Sequence, residues 1–205
     1  MSDRAARRRD GARTRAQALR AAAAGGAAVG AWALVGGWLR PQASVGKASP
    51  EQDVEILNFL LVLEEAQAAF YDAALRSGAL GGDLLAFART VAPHEREHVE
   101  FLRGKLGGRA DAKPKLGFGR ATSDANRFQA AAIDLEEATA AAYIGQGANL
   151  TREAVVDAAR IVAVEARHAA WIRDLAGADP APRAADPPRS AEDVLSELRQ
   201  KGFLR

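Results

Sequence analysis

The 205-residue chain has no cysteine. That excludes disulfides, thiolate metal ligands and iron–sulfur clusters, and it leaves the compartment open. Runs of β-branched residues are scarce, whereas alanine-rich stretches with apolar residues at helical spacing are frequent, so the fold class is all-α. A long apolar span is also missing. The best run, Ala21 to Gly37, is about 17 residues and glycine-rich, short and weak for a membrane crossing. The folded body lacks basic excess as well. Residues 1–46 carry 8 Arg against 2 Asp, or +6, while residues 47–205 carry 20 Lys/Arg against 24 Asp/Glu, or −4. The basic pI therefore belongs to the leader and is no argument for a nucleic-acid partner.

Histidine is scarce too, and two of the three His carry the main signal. Glu95-Arg96-Glu97-His98 and Glu165-Ala166-Arg167-His168 are Glu-x-x-His motifs 70 residues apart. Each is preceded by a Leu-Glu-Glu-Ala segment, Leu63 to Ala66 and Leu135 to Ala138. A tyrosine follows the first Glu of each pair by seven residues, Tyr71 and Tyr143, and Phe101-Leu102-Arg103 matches Trp171-Ile172-Arg173. With 13 Glu in the chain, two Glu-x-x-His motifs among three His is roughly a one-in-a-hundred coincidence before the upstream pairs are counted. The features in register argue for two copies of a helix pair, neither able to bury its apolar face alone.

The order Glu, Glu-x-x-His, Glu, Glu-x-x-His is the ligand set of a carboxylate-bridged dinuclear metal site inside a four-helix bundle. Residues i and i+3 share one helix face, so each Glu and its His can address the same ion. Four carboxylates and two imidazoles suit a pair of Fe or Mn ions better than a structural zinc. The ligands lie on core stripes. Leu84, Ala88, Val91, Glu95, His98 and Leu102 step by 4 and 3 along the second helix, and Ala158, Ile161, Glu165, His168 and Ile172 do so along the fourth. Burying these groups without partners would be very costly, and metal ions remove that cost.

Of the first acidic pair, Glu64 lies on the stripe Leu57, Leu60, Glu64, Tyr71, and Glu65 lies on a more polar line with Asn58 and Asp72. Glu64 is the expected ligand and Glu65 a rim residue. On the third helix, Ala132, Glu136, Thr139 and Tyr143 form one line and Ile133, Glu137 and Ile144 another; the repeat favours Glu136. Tyr71 and Tyr143 are expected near the site, either packing in the core or orienting ligands and taking part in redox work. His94 has no Glu partner and is expected to be structural or at the rim. Glu97 and Glu100 read as solvated charges, and Arg103 and Arg173 as helix-end caps.

Ser49-Pro50-Glu51-Gln52 is a helix start, and Gly78 a stop. The second helix should run from Gly82 or Asp83 to just before Gly107-Gly108. A long link, Gly107 to Ala121, follows; it is long enough to cross a bundle. Thr122, Ser123 or Asp124 should cap the third helix, which ends near Gly147, and Thr151 the fourth, which ends at Gly177. Ala178 to Arg189 is a Pro/Ala linker. Ser190 to Gln200 should form a short amphipathic helix folding back on the bundle. The expected domains are a leader at 1–46, a four-helix bundle at 47–177 and a linker with a short helix at 178–205.

The leader reads as an export signal: Arg4, Arg7, Arg8 and Arg9, then the apolar run, then small residues near Ala43 to Ala48 for cleavage. Arg7-Arg8-Arg9 resembles a twin-arginine signal, although Asp10 and Gly11 stand where apolar residues are expected. An uncleaved N-terminal membrane anchor is the alternative.

Over about residues 50–177 the chain resembles ferritin-like domain proteins, in particular a bacterial secreted branch related to plant desiccation-related proteins. The resemblance rests on Leu63-Glu64 through Phe70-Tyr71, Glu95 to Leu102, Leu135-Glu136 through Tyr143, and Glu165 to His168. It implies a ferritin-like bundle with a long crossover between helices two and three and a centre ligated by Glu64, Glu95, His98, Glu136, Glu165 and His168. It also implies that Glu95 and Glu165 bridge the two ions. The expected activity is oxidation of Fe(II) by O2 or peroxide, or other handling of reactive oxygen. The rivals are a dimanganese catalase-like enzyme, a non-catalytic stress-protective bundle, and iron storage by a hollow homo-oligomer. Fold analogy alone does not choose among them.

Overall fold

The computed structural model describes residues 48–205; the leader and its export and anchor expectations lie outside them. Four long helices, α1 (Pro50–Ser77), α2 (Gly82–Leu106), α3 (Ala125–Gly147) and α4 (Arg152–Leu175), form the bundle, and a short α5 (Ala191–Gln200) follows. Among the described residues there is no strand beyond a single bridge between Leu116 and Leu204. None of these helices is long and apolar enough to cross a membrane.

The helix starts follow local chemistry. Ser49 Oγ accepts from Gln52 N, Thr151 Oγ1 from Ala154 N and Ser190 Oγ from Asp193 N. Of the three candidate caps before α3, Asp124 is the one that accepts the Arg127 N–H, at 2.9 Å. α1 ends where Gly78 takes φ 69°, a left-handed conformation that glycine adopts without strain. α4 stops at Leu175, two residues short of Gly177, because the Ala176 and Ala178 amides already turn back onto the Arg173 carbonyl.

Side-chain pairs fix the helix directions. The start of α1 meets the start of α4, where Asp53 accepts from the Thr151 amide at 2.8 Å. It also meets the end of α2, where Asn58 holds the Arg109 carbonyl and the Asp111 amide. The start of α3 lies at the other end: Phe128 stacks on Phe70, late in α1, with centroids 5.4 Å apart. Helices α2 and α3 are therefore parallel, and the link between them must traverse the length of the bundle, as its length requires. α1 packs on α2 and α3, and α4 on α3 and α2, so α2 and α3 are diagonal.

The tail folds back. Val194, Leu198 and Phe203 are buried. The Arg189 amide donates to Ala141 O at 3.0 Å, and this strap passes so close to α3 that a Cβ on Gly145 would sit 2.0 Å from Arg189 O. Beyond α5, the Phe203 carbonyl and the Arg205 amide pair with Gly117 and Lys115 of the crossover. The C-terminus thus clasps the long link, with Phe70, Phe118 and Phe203 packed together beneath it.

Candidate metal centre

Each long helix delivers its acidic or imidazole side chain to one volume at mid-bundle. Glu64 comes from α1, Glu95 and His98 from α2, Glu136 from α3, and Glu165 and His168 from α4. The four carboxylates are 0% exposed, and both imidazoles are buried. His98 Nδ1 lies 3.2 Å from Glu64 Oε2, 3.4 Å from Glu95 Oε2 and 3.1 Å from Glu165 Oε1. His168 Nδ1 lies 3.0 Å from Glu95 Oε1 and 3.5 Å from Glu136 Oε2. The donors form two overlapping groups, Glu64–Glu95–His98–Glu165 and Glu95–Glu136–Glu165–His168, each with its donor atoms within 4.8 Å of one another. Glu95 and Glu165 belong to both groups.

These residues are of the kind that can hold metal ions. Both oxygens of Glu95, Glu136 Oε2, Glu165 Oε1 and His168 Nδ1 are buried without any hydrogen-bond partner. Orphaned polar atoms are rare inside proteins and expensive. His168 Nδ1 and Glu95 Oε1 lie 3.0 Å apart, within ion-pair distance. The donor set, four carboxylates and two imidazoles, is one that metal ions accept.

Without a cation the cluster holds protons. Burial, with Glu95 beside it, lifts Glu64 to about 7. Burial together with Glu64 and Glu136 lifts Glu165 to about 8, and burial and Glu165 raise Glu95. Burial alone would depress the imidazoles, but the surrounding carboxylates outweigh it and push His98 up to about 12 and His168 to about 10. Metal ligation requires neutral imidazole and ionised carboxylate, so cations and protons compete for the same atoms.

An outer layer orients four of the six residues, Glu64, Glu136, Glu165 and His168, and most of it is crossed between the repeats. Tyr143 OH donates to Glu64 Oε1 at 2.6 Å, and Tyr71 OH donates to Glu136 Oε1. Each tyrosine thus serves the carboxylate of the other helix pair. Burial and those same carboxylates hold both phenols well above their ordinary range, so both remain donors. On the solvent side of the acidic pairs, Arg103 bonds Glu65 and Arg173 bonds Glu137.

Two contacts break the symmetry. Thr139 Oγ1 donates to Gln67 Oε1 at 2.7 Å, which turns the Gln67 amide so that Nε2 donates to Glu165 Oε2 at 3.1 Å. Glu95 has no such partner. His94 Nδ1 lies 3.0 Å from His168 Nε2, with the ring planes within 9°. Behind His98 there is instead a cavity of about 250 Å³, lined by Glu97, Phe101, Arg160 and Ile161.

The family model described as ferritin-like domain matches residues 52–178. The chain belongs to the ferritin-like domain family. Among curated proteins, none matches it.

In this ferritin-like bundle the six residues singled out from sequence come together, and Tyr71 and Tyr143 touch two of them. Glu65 is not a solvated rim residue: it is buried, and Arg103 neutralises it. Arg103 and Arg173 are not helix-end caps, because each guanidinium is drawn sideways to the second Glu of the neighbouring helix. Gln67 is a contact the sequence reading missed, and Thr139, placed there on the Glu136 line, was given no role. Both stand three residues after a predicted ligand and on its stripe, which was the available signal. His94, expected to be structural or at the rim, is half-buried against His168.

Proposed function

We propose that this ferritin-like protein is exported, and that Glu64, Glu95, His98, Glu136, Glu165 and His168 bind two Fe ions, or two Mn ions, for oxidation of Fe(II) by O2 or peroxide, or for other removal of reactive oxygen. The observation that carries the reading is the buried cluster of four carboxylates and two imidazoles in two overlapping groups, five of whose donor atoms have no hydrogen-bond partner. When bound, two adjacent ions would supply paired one-electron steps to an oxygen substrate.

The chain's own residues set the conditions for that chemistry. Glu95 and Glu165, common to both donor groups, would be the carboxylates that serve both ions. Glu165 has one oxygen tied to Gln67, and Glu95 has both free. Tyr71 and Tyr143 hold Glu136 and Glu64 by their outer oxygens, so the inner oxygens face the site. Leu60, Val91, Leu102, Ile161 and Ile172 exclude bulk water from the bundle interior.

The test is aerobic Fe(II) addition to the metal-free full-length chain, with oxidation followed in the near ultraviolet and metal content measured. Catalysed oxidation that His168→Ala abolishes is the expected result. Peroxide disproportionation by Mn-loaded protein without Fe(II) oxidation would move the activity to the dimanganese catalase-like reading. Two bound ions with neither activity would leave a bundle in which metal is structural. Export rests on the leader: Arg7→Lys, Arg8→Lys and Arg9→Lys together should trap precursor inside the cell, and unaltered export would eliminate the twin-arginine route.

A further inference from the structure

We infer that the two ion positions are inequivalent and that His94 makes them so: the position of Glu136 and His168 binds the tighter ion, and the position of Glu64 and His98 binds the exchangeable one. The inference rests on the dinuclear reading above and deepens it.

Both imidazoles turn Nδ1 into the cluster. A neutral imidazole that ligates through Nδ1 must carry its proton on Nε2. For His168 that N–H meets an acceptor, His94 Nδ1, at 3.0 Å. The bond fixes the ring's orientation and raises the basicity of the ligating nitrogen, the effect by which outer partners strengthen metal-bound histidine. For His98 no described residue accepts from Nε2. The repeat explains why: 70 residues after His94 comes Val164, which has no lone pair to offer. The ring instead borders the cavity of about 250 Å³ beside Glu97, Phe101, Arg160 and Ile161. One ion position therefore has a braced ligand, and the other an unbraced ligand next to solvent-accessible space. His94 belongs to neither donor group and acts only through the His168 ring, which makes it a positioning residue.

The experiment titrates the metal-free full-length chain anaerobically with Mn(II) and follows free Mn(II) by electron paramagnetic resonance. Wild type should bind two ions in separated steps, the tighter one missing in His168→Ala and the weaker one missing in His98→Ala. His94→Leu should weaken the tighter step about tenfold and leave the weaker one in place. His94→Asn, whose amide oxygen can accept where Nδ1 does, should restore it. A change in both steps alike, in the weaker step alone or in neither would overturn the role of His94. A second readout needs no variant: chelator should strip the loaded wild type in one fast and one slow phase, and equal rates would overturn the inequivalence while two bound ions preserved the dinuclear reading. Failure to bind Mn(II), Fe(II) or Co(II) at all would instead overturn that reading, and this inference with it.

Discussion

The helix pair α1/α2 and the helix pair α3/α4 are two versions of one device. Both supply a Glu from the first helix and a Glu and a His from the second. Both lend a tyrosine to the opposite carboxylate, and both cover the second Glu with an arginine. They differ in residues around those shared ones. Position 67 is Gln and its counterpart 139 is Thr; position 94 is His and its counterpart 164 is Val. Only α3/α4 carries the C-terminal strap, anchored at Ala141 and Gly145. The duplicated residues build the cage, and the unduplicated ones make its two halves unlike.

The largest expected effect breaks what the halves share. Glu95→Ala or Glu165→Ala removes a donor common to both groups, so either variant should retain neither ion and lose any metal-dependent rise in melting temperature, read by metal analysis and calorimetry. Retention of one ion by Glu95→Ala would show that the shared carboxylate does not serve both positions.

A middle-sized effect separates two contacts that look identical in sequence. Glu65 is 4% exposed beneath Arg103, whereas the Glu137–Arg173 pair is open, with side chains 37% and 20% exposed. Arg103→Ala strands a buried carboxylate and should cost about 2 kcal/mol, less than a fully buried pair because Arg103 itself is partly solvated. Arg173→Ala should cost under about 1 kcal/mol. Urea melts of the two variants decide it; equal losses would mean that burial does not distinguish the halves.

The smallest effect tests the crossed tyrosines. Tyr71→Phe and Tyr143→Phe each remove one donor to a ligand carboxylate and should each weaken the ion at that carboxylate by about tenfold, with about 1 kcal/mol lost from the folded protein. The two losses should fall on opposite binding steps. Loss of the same step in both variants would contradict the crossing.

Much of this was legible in the sequence because helical periodicity and ligand chemistry reinforce each other. Glu95, His98, Glu165 and His168 interrupt apolar stripes, and only a core site explains that. Capping residues placed α1 and α4 closely, and the length of the Gly107–Ala121 link announced the crossover. What sequence did not show depends on the angle between helices. Gln67 reaches Glu165 and Tyr71 reaches Glu136 across the bundle, and no one-helix stripe reports such a contact. Arg103 and Arg173 looked like caps because they stand near helix ends, yet a long guanidinium stem can turn to a buried carboxylate on the next helix instead. The pairing of the C-terminal residues with the crossover was invisible for the same reason: two irregular segments meet only because the bundle brings their ends together.

Thermal unfolding of the full-length chain against pH, with and without Fe(II) or Mn(II), tests the central claim most directly. In the metal-free protein Glu64 and Glu165 are lifted to about 7 and 8, and His168 and His98 to about 10 and 12. The folded state thus holds more protons than the unfolded one, and stability contributed at low pH is lost as pH rises through those values. The metal-free melting temperature should therefore fall between pH 6 and 9 (the lower pair titrates within this window). Each ion position filled at about a hundred times its dissociation constant should add about 2.7 kcal/mol, a rise of several degrees, and at a fixed metal concentration the gain should grow with pH as protons stop competing. A melting curve that neither ion moves at any pH would contradict a dinuclear centre and leave the bundle a structural protein.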